Sequence, residues 1–425
     1  MKPKKKLEYK WVIVALCFMM VMVTLGFCSS NKALYLGAIT DALDIQRSAF
    51  SLGDSIRFIV SALINILFGT MVRKFGTKKL IGAGFACLIG FAVLYATTDH
   101  IIGFYLGSAL LGIGTSWTTT TMVGWVVGKW CKENKGTIMG AVLAANGLGG
   151  AAAAQIVTPI IYQEGNPFGY RTAYWIVAAI LLAAGTLMMI LYKEKPKEPG
   201  DHIPHAKKKK RGQSWTGLEF SRVKKMPYFY VALICCFMTG LILQGINGVS
   251  AAHMKDVGLS TTYLATVMSV HSLALTACKF SVGFIYDKVG LRFTMTLCQL
   301  SAFAAMISLA LTSPTGIGPI AAMGYSIISC LALPLETIML PIFASDLFGD
   351  LSFDKTLGIF VAVNTAGYAV GAPLANVVFD HFGTYTPMLY ISAILMIVVT
   401  VASQYFVSAA HKIRKKQEAL EEANA

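Results

Sequence analysis

Charge is scarce in this chain. Of its 425 residues, 13% are Asp, Glu, Lys or Arg and 56% are hydrophobic. An ordinary soluble domain carries roughly 25% charged residues, so the composition excludes a soluble globular fold. Catalytic and nucleotide-binding signatures are lacking as well. There is no glycine-rich phosphate loop ending in Lys-Ser or Lys-Thr and no nucleophile-elbow serine. His253, His271 and His381 show no ligand spacing, and the nine cysteines form neither a metal motif nor a disulfide framework. These absences argue against an enzyme, a metal site, a cofactor or an ATP-driven machine.

What the chain has instead is apolar length. Twelve runs are each long enough to cross a hydrocarbon core of about 30 Å. They fall at 11–33, 49–72, 80–98, 101–127, 137–161, 172–192, 228–252, 262–286, 293–312, 316–345, 357–379 and 386–409. With no water in lipid to satisfy backbone groups, each is predicted to be helical. Mean hydropathy is +0.63. The opening, Lys2 to Lys10 before an apolar run, reads as a first membrane helix, since the run is too long for a cleaved signal and lacks a small-residue cleavage site.

The net charge of +15 points first to nucleic acid or to acidic partners. Its placement decides otherwise. With both termini taken as cytoplasmic, 30 of the 36 Lys and Arg fall in the tails and inner loops. The outer loops hold only Arg47, Arg171 and Lys255. That asymmetry is the positive-inside rule, so the basic excess sets topology and implies no nucleic-acid partner. The expected location is the cell membrane, with the lipid bilayer as partner.

The segment 193–226, which includes Lys207-Lys208-Lys209-Lys210-Arg211, divides six helices from six. It reads as a cytoplasmic linker between an N-terminal bundle, 1–192, and a C-terminal bundle with a short tail, 227–425. The halves repeat at an offset of 214, which relates Gly26 to Gly240, Gly69 to Gly283, Lys74 to Lys288 and Gly76 to Gly290. The fold class expected is an all-α membrane protein, twelve transmembrane helices in two pseudo-symmetric six-helix bundles. Duplicated bundles of this kind hold a solute near the membrane midplane.

The stretch Gly69-Thr-Met-Val-Arg73-Lys74-Phe75-Gly76 and its copy Gly283-Phe-Ile-Tyr-Asp287-Lys288-Val289-Gly290 resemble the signature loop of the major facilitator superfamily. The resemblance implies a gating role for Gly69, Arg73, Gly76, Gly283, Asp287 and Gly290. Arg73 departs from the family pattern, which has an acid there, so Asp287 is the one copy of that acid retained. A narrower resemblance, to monocarboxylate transporters and oxalate–formate exchangers, rests on three features. Helix four ends in Gly128-Lys129-Trp130-Cys131-Lys132, and Lys135-Gly136 opens a glycine-rich helix five. Pro341-Ile-Phe-Ala-Ser-Asp346-Leu-Phe-Gly349 closes helix ten. Those relatives carry a substrate-binding arginine four residues before the loop glycine, where this chain has Lys279. Lysine is a compact point charge rather than a bidentate fork, so the sign of the ligand carries over better than its identity. Leu275 stands where mammalian members have an aspartate, which leaves their coupling partner without a counterpart.

A lysine within an apolar span costs about 2.5–3.5 kcal/mol on insertion scales and marks a solute pathway or an ion pair. Lys279 precedes Asp287 by eight residues, about 12 Å of helix, and so lies near the midplane. Glu336 lies at similar depth between Pro334 and Pro341, where helix ten is expected to be irregular. It is read either as a proton acceptor, since burial favours the neutral carboxyl, or as the partner of Lys279. Arg57 sits in the outer half, facing solute or paired with Asp54, and Lys32 near the outer end of helix one either reaches the cavity or snorkels. The 214 offset relates Arg57 to His271, a second proton candidate, and Asn65 to Lys279. Softer substrate contacts are Asn31, Trp117, Thr118, Asn364 and Tyr368, although a threonine run such as 118–121 also bonds back to its own helix.

The function expected is secondary active transport of a small organic anion, a mono- or dicarboxylate, by proton symport or exchange. Protons are then a second ligand. The competing expectations are a lipophilic-cation exporter on the same fold, for which one membrane-embedded acid is a poor site, and a membrane sensor that moves nothing.

Overall fold

The structure, a computed structural model, describes residues 9–131, 135–194, 218–336, 339–349 and 352–423. Every regular element among them is helical. Among the described residues, eleven helices are long and apolar enough to cross a membrane. The predicted eighth span, 262–286, is helical as part of Thr261–Ala310, and Lys279, Phe280 and Gly283 within it lie outside the described residues.

The contacts divide the chain into two compact units whose boundary falls in the basic linker. In the first, α1 (Tyr9–Val21) runs on as a π-helix over Met22–Ser30, followed by α2 (Lys32–Leu43). Then come α3 (Arg47–Phe75), α4 (Thr77–Thr97), α5 (Ile101–Thr118), α6 (Thr120–Trp130), α7 (Lys135–Ile161) and α8 (Gly169–Leu191). The second unit holds α9 (Phe220–Val223), α10 (Pro227–Asp256), α11 (Thr261–Ala310), α12 (Gly318–Ala332), a 3₁₀ turn over Leu333–Glu336, α13 (Met339–Phe348), α14 (Phe353–Phe382) and α15 (Thr386–Ala423). The start of α3, Gln46–Ser55 by contact, groups with the second unit and the rest of that helix with the first.

The same backbone irregularities recur in both units. Predicted helix four breaks at Thr119 (φ −119°, ψ −144°), and predicted helix ten passes into its 3₁₀ turn at Leu333, the residue the 214 offset pairs with Thr119. Pro159 inside α7 and Pro373 inside α14 are related in the same way. So are Gly76 and Gly290, at φ 82° and 80° with extended ψ, a region open essentially to glycine alone. Gly290 turns the chain inside α11, which is two helices joined at that residue. The second glycine of the repeated loop is thus a backbone requirement in both copies.

Candidate functional site

In the first unit the π-helical stretch is pressed against α7. A Cβ on Gly26 would lie 2.4 Å from the carbonyl carbon of Gly149, so only glycine allows the approach. π-Helical turns concentrate at functional sites, and this one ends in a run of polar residues. Ser30 Oγ donates to Asn146 Oδ1 at 2.8 Å. Asn31 Nδ2 donates to Gly26 O at 3.1 Å and Gly150 O at 2.9 Å. Asn31 is fully buried, and its Oδ1 has no hydrogen-bond partner. Predicted as a solute contact, Asn31 ties the π-helix to α7. Lys32 follows it, half-buried, at the start of α2.

Arg57 is only 8% exposed. Its Nη1 donates to Ser29 Oγ at 2.8 Å, and the guanidinium lies 4.4 Å from the Phe58 ring centroid. Ser61 and Asn65 follow Arg57 at four-residue steps and share its helix face. Ser61 Oγ pairs with Ser116 Oγ at 2.8 Å, and Thr121 Oγ1 lies 3.5 Å from Asn65 Oδ1. Asn65 and Thr121 are exposed. This polar stripe therefore runs from the π-helix to the break after Thr119. Trp117 is half-buried, and its Nε1 is sealed without a partner. Thr118 is fully buried, bonds back to Gly114 O at 2.8 Å, and faces α4, where a Cβ on Gly84 would meet its methyl at 2.7 Å.

The second unit repeats these backbone contacts with other side chains. Gly112 closely approaches Arg57 O, and the pair the offset derives from them, Ser326 and His271, is joined by His271 Nδ1 at 3.2 Å from Ser326 O. His271 also lies 3.2 Å from Ser329 Oγ and stacks on Tyr325 with parallel rings 6.0 Å apart. Its ring is buried, beside a cavity of about 20 Å³ that Asn247, Tyr325 and Ser329 also line. Asn364, the counterpart of Gly150, donates from Nδ2 to Cys236 O at 2.9 Å and packs on Gly240, the counterpart of Gly26. Tyr368, half-buried one turn on, touches the same glycine. The side chains of Lys279, Asp287 and Glu336, with Gly283, lie outside the described residues.

At the first loop copy Arg73 is exposed and Gly69 has open space around it. The carboxylate there comes from elsewhere. Glu194, just past the end of α8, accepts from Lys78 N at 2.7 Å and Thr77 Oγ1 at 2.8 Å, capping α4. An acid at a helix N-terminus is favoured by both the free amides and the dipole.

The structure thus brings Arg57 to Ser29, and Asn364 with Tyr368 to Gly240, while Trp117 and Thr118 stand apart from those contacts. Sequence reasoning missed Ser29, Ser61, Ser116 and Glu194. The i+4 spacing from Arg57 was a signal for Ser61; none existed for Glu194.

Comparison with known proteins gives a consistent family. The chain matches the Major Facilitator Superfamily over residues 12–351. It is 20% identical to the oxalate:formate antiporter of Oxalobacter formigenes over 383 residues, 89% of this chain and 87% of that one. It is 23% identical to monocarboxylate transporter 13 of Bos taurus over 397 residues, 91% and 87% of the two chains. The fold is shared with the crystal structure of the nucleoside transporter NupG, at TM-score 0.75 and 15% identity over 94% of this chain and 99% of that one. These relatives carry unlike solutes, so membership alone names no cargo. The chain is a multi-pass membrane transporter rather than an enzyme, and it belongs to the Major Facilitator Superfamily.

Proposed function

We propose that this transporter moves a small organic anion, a mono- or dicarboxylate, across the cell membrane by alternating access, with both termini cytoplasmic. Arg57 carries the proposal: a guanidinium almost wholly buried within a membrane helix and held by a serine hydroxyl. Ionisable groups at such depth face pathways rather than lipid. Lys279 supplies the second positive charge, on the helix that repeats α3, and Lys32 the third. The acid at the depth of Lys279 is Glu336. A cavity of that sign attracts anions and repels cations. The full-length similarity to two carboxylate carriers supports the same reading.

Broken helices at matched positions in the two halves, at Thr119 and Leu333, add to it. Discontinuous membrane helices present free backbone groups where transporters hold solute and coupling ions. Asn65, Thr121 and Trp117 would meet the body of the anion in the first unit, and Tyr368 in the second. Asn31, Thr118 and Asn364 act behind the site by fixing helix contacts. Coupling is by proton symport or by exchange. Glu336 is the stronger proton candidate, because Nδ1 of His271 is already engaged by Ser326.

The test is uptake of labelled oxalate and lactate into proteoliposomes, with and without a pH gradient. Saturable uptake that Lys279→Gln and Arg57→Gln each lower by about tenfold or more is the expected result. Uptake by both variants at the wild-type rate would refute the anion site.

A further inference from the structure

The cavity beside His271 lies where the repeat has large side chains in the first unit. Ala302 and Ala305 line it, and the 214 offset relates them to Leu88 and Phe91. Both of those are fully buried, and Phe91 packs on Tyr95 with ring centroids 4.6 Å apart. Leu243, also in the wall, stands where the first unit has Ser29. His271 itself stands where it has Arg57, the donor to Ser29. The second unit has therefore exchanged a long guanidinium for a shorter imidazole, and two bulky residues for alanines. About 20 Å³ of space is left among α10, α11 and α12. Ala332 and Leu333 border it, where α12 passes into its 3₁₀ turn.

Polar groups from all three helices reach this space. Asn247 comes from α10, His271 from α11, and Tyr325 and Ser329 from α12. His271 Nδ1 lies 3.2 Å from both Ser326 O and Ser329 Oγ. A carbonyl oxygen only accepts, so in the neutral ring Nδ1 carries the proton and Nε2 is an acceptor. The hydroxyl proton of Ser329 is then left for another partner. A cavity lined only by apolar groups stays dry, whereas one with more than about 10–15 Å³ of room and two to four polar partners holds a water. We propose that this cavity is a water site. One molecule donates to His271 Nε2, receives from Ser329 Oγ and Asn247 Nδ2, and so bridges α10, α11 and α12 beside the break in predicted helix ten. It takes the place of the part of the Arg57 side chain that an imidazole lacks. The site is separate from the anion reading, and its test requires no cargo.

Radiolytic hydroxyl labelling of the purified full-length protein, read by mass spectrometry, decides it. A radical formed from a held water oxidises the side chains around it, however deeply they are buried. Met306 and Tyr325 line the cavity and are at most 2% exposed. Met188 and Tyr95 in the first unit are buried as deeply and serve as references. Met306 is expected to label several-fold faster than Met188, and Tyr325 several-fold faster than Tyr95. Equal rates within both pairs overturn the water site.

Filling the cavity gives a second reading. Ala302→Leu installs the residue that the first unit has at this position, and labelling of Met306 and Tyr325 should then fall to the reference rates. Should Ala302→Leu not fold, Ala302→Val narrows the same space with less bulk and is expected to slow both labels. Fast labelling that persists in a folded, filled variant overturns the site, since the oxidising water would then lie elsewhere.

Discussion

Arg57 in the first unit stands where the second has His271, and Asn65 stands where it has Lys279. Around these substitutions the related positions meet again. Gly26 meets α7 as Gly240 meets α14, and the positions related to Arg57 and Gly112 touch again as His271 and Ser326. The helices break, turn and carry proline at matched positions. Gly26, Gly76 and Pro159 recur as Gly240, Gly290 and Pro373, while Gly112 and Gly150, which also lie at close helix approaches, are replaced by Ser326 and Asn364. The first unit places Arg57 in the N-terminal half of α3, bonded to Ser29. The second encloses a histidine among Ser326, Ser329 and Tyr325 and carries its lysine two turns further on. The difference teaches that the repeat governs packing while chemistry is distributed unequally over it.

That asymmetry can be broken first at the exchanged pair. Lys279→Gln is expected to reduce carboxylate uptake by roughly 10–100-fold, the worth of one charge-assisted contact, whereas Asn65→Leu changes it only a few-fold; initial uptake rates in proteoliposomes compare them. Arg57→Gln should lose about tenfold in the same assay. His271→Gln should instead lower the unfolding temperature and leave uptake near wild type, as expected for a buried, hydrogen-bonded packing residue.

Smaller effects belong to the loop. Gly290→Ala should destabilise by about 1–3 kcal/mol, because φ near 80° with extended ψ admits little but glycine. Gly76→Ala should cost more, since its Cβ would also stand 2.7 Å from the Glu194 carboxylate. Thermal unfolding in detergent ranks the two; equal losses would remove Glu194 from the account. Smallest is Glu194→Ala, at about 0.5–2 kcal/mol for a lost helix cap. It should leave the second unit's exchange protection untouched.

Much of the fold was legible because membrane helices declare themselves through length and apolarity, and because a repeat offset can be counted. The positions of Gly76 and Gly290 followed from the loop pattern, and irregularity near Glu336 followed from its flanking prolines. The break at Thr119 did not, since no Pro or Gly marks it. The segment 262–286, predicted as a span, is helical. Of the candidate site, Arg57 was legible as a charge where charge is expensive. Its partner Ser29 was not, because a serine in an apolar run is cheap and common. Asn31 and Asn364 are predicted as solute contacts, and in the structure their amide nitrogens bond to Gly150 O and Cys236 O. A polar residue in lipid must be satisfied somewhere, and sequence does not say whether by solute or by backbone.

The sequence by itself determined the class of molecule, its helices and its twofold repeat. All three follow from composition and spacing, which survive without coordinates. Only the tertiary structure decided that Glu194 caps the helix beside Arg73, that His271 is closed in by α12, and that Arg47 is buried against Asp256. Each depends on which distant segments meet, and hydrogen bonds and ion pairs act only over a few ångströms.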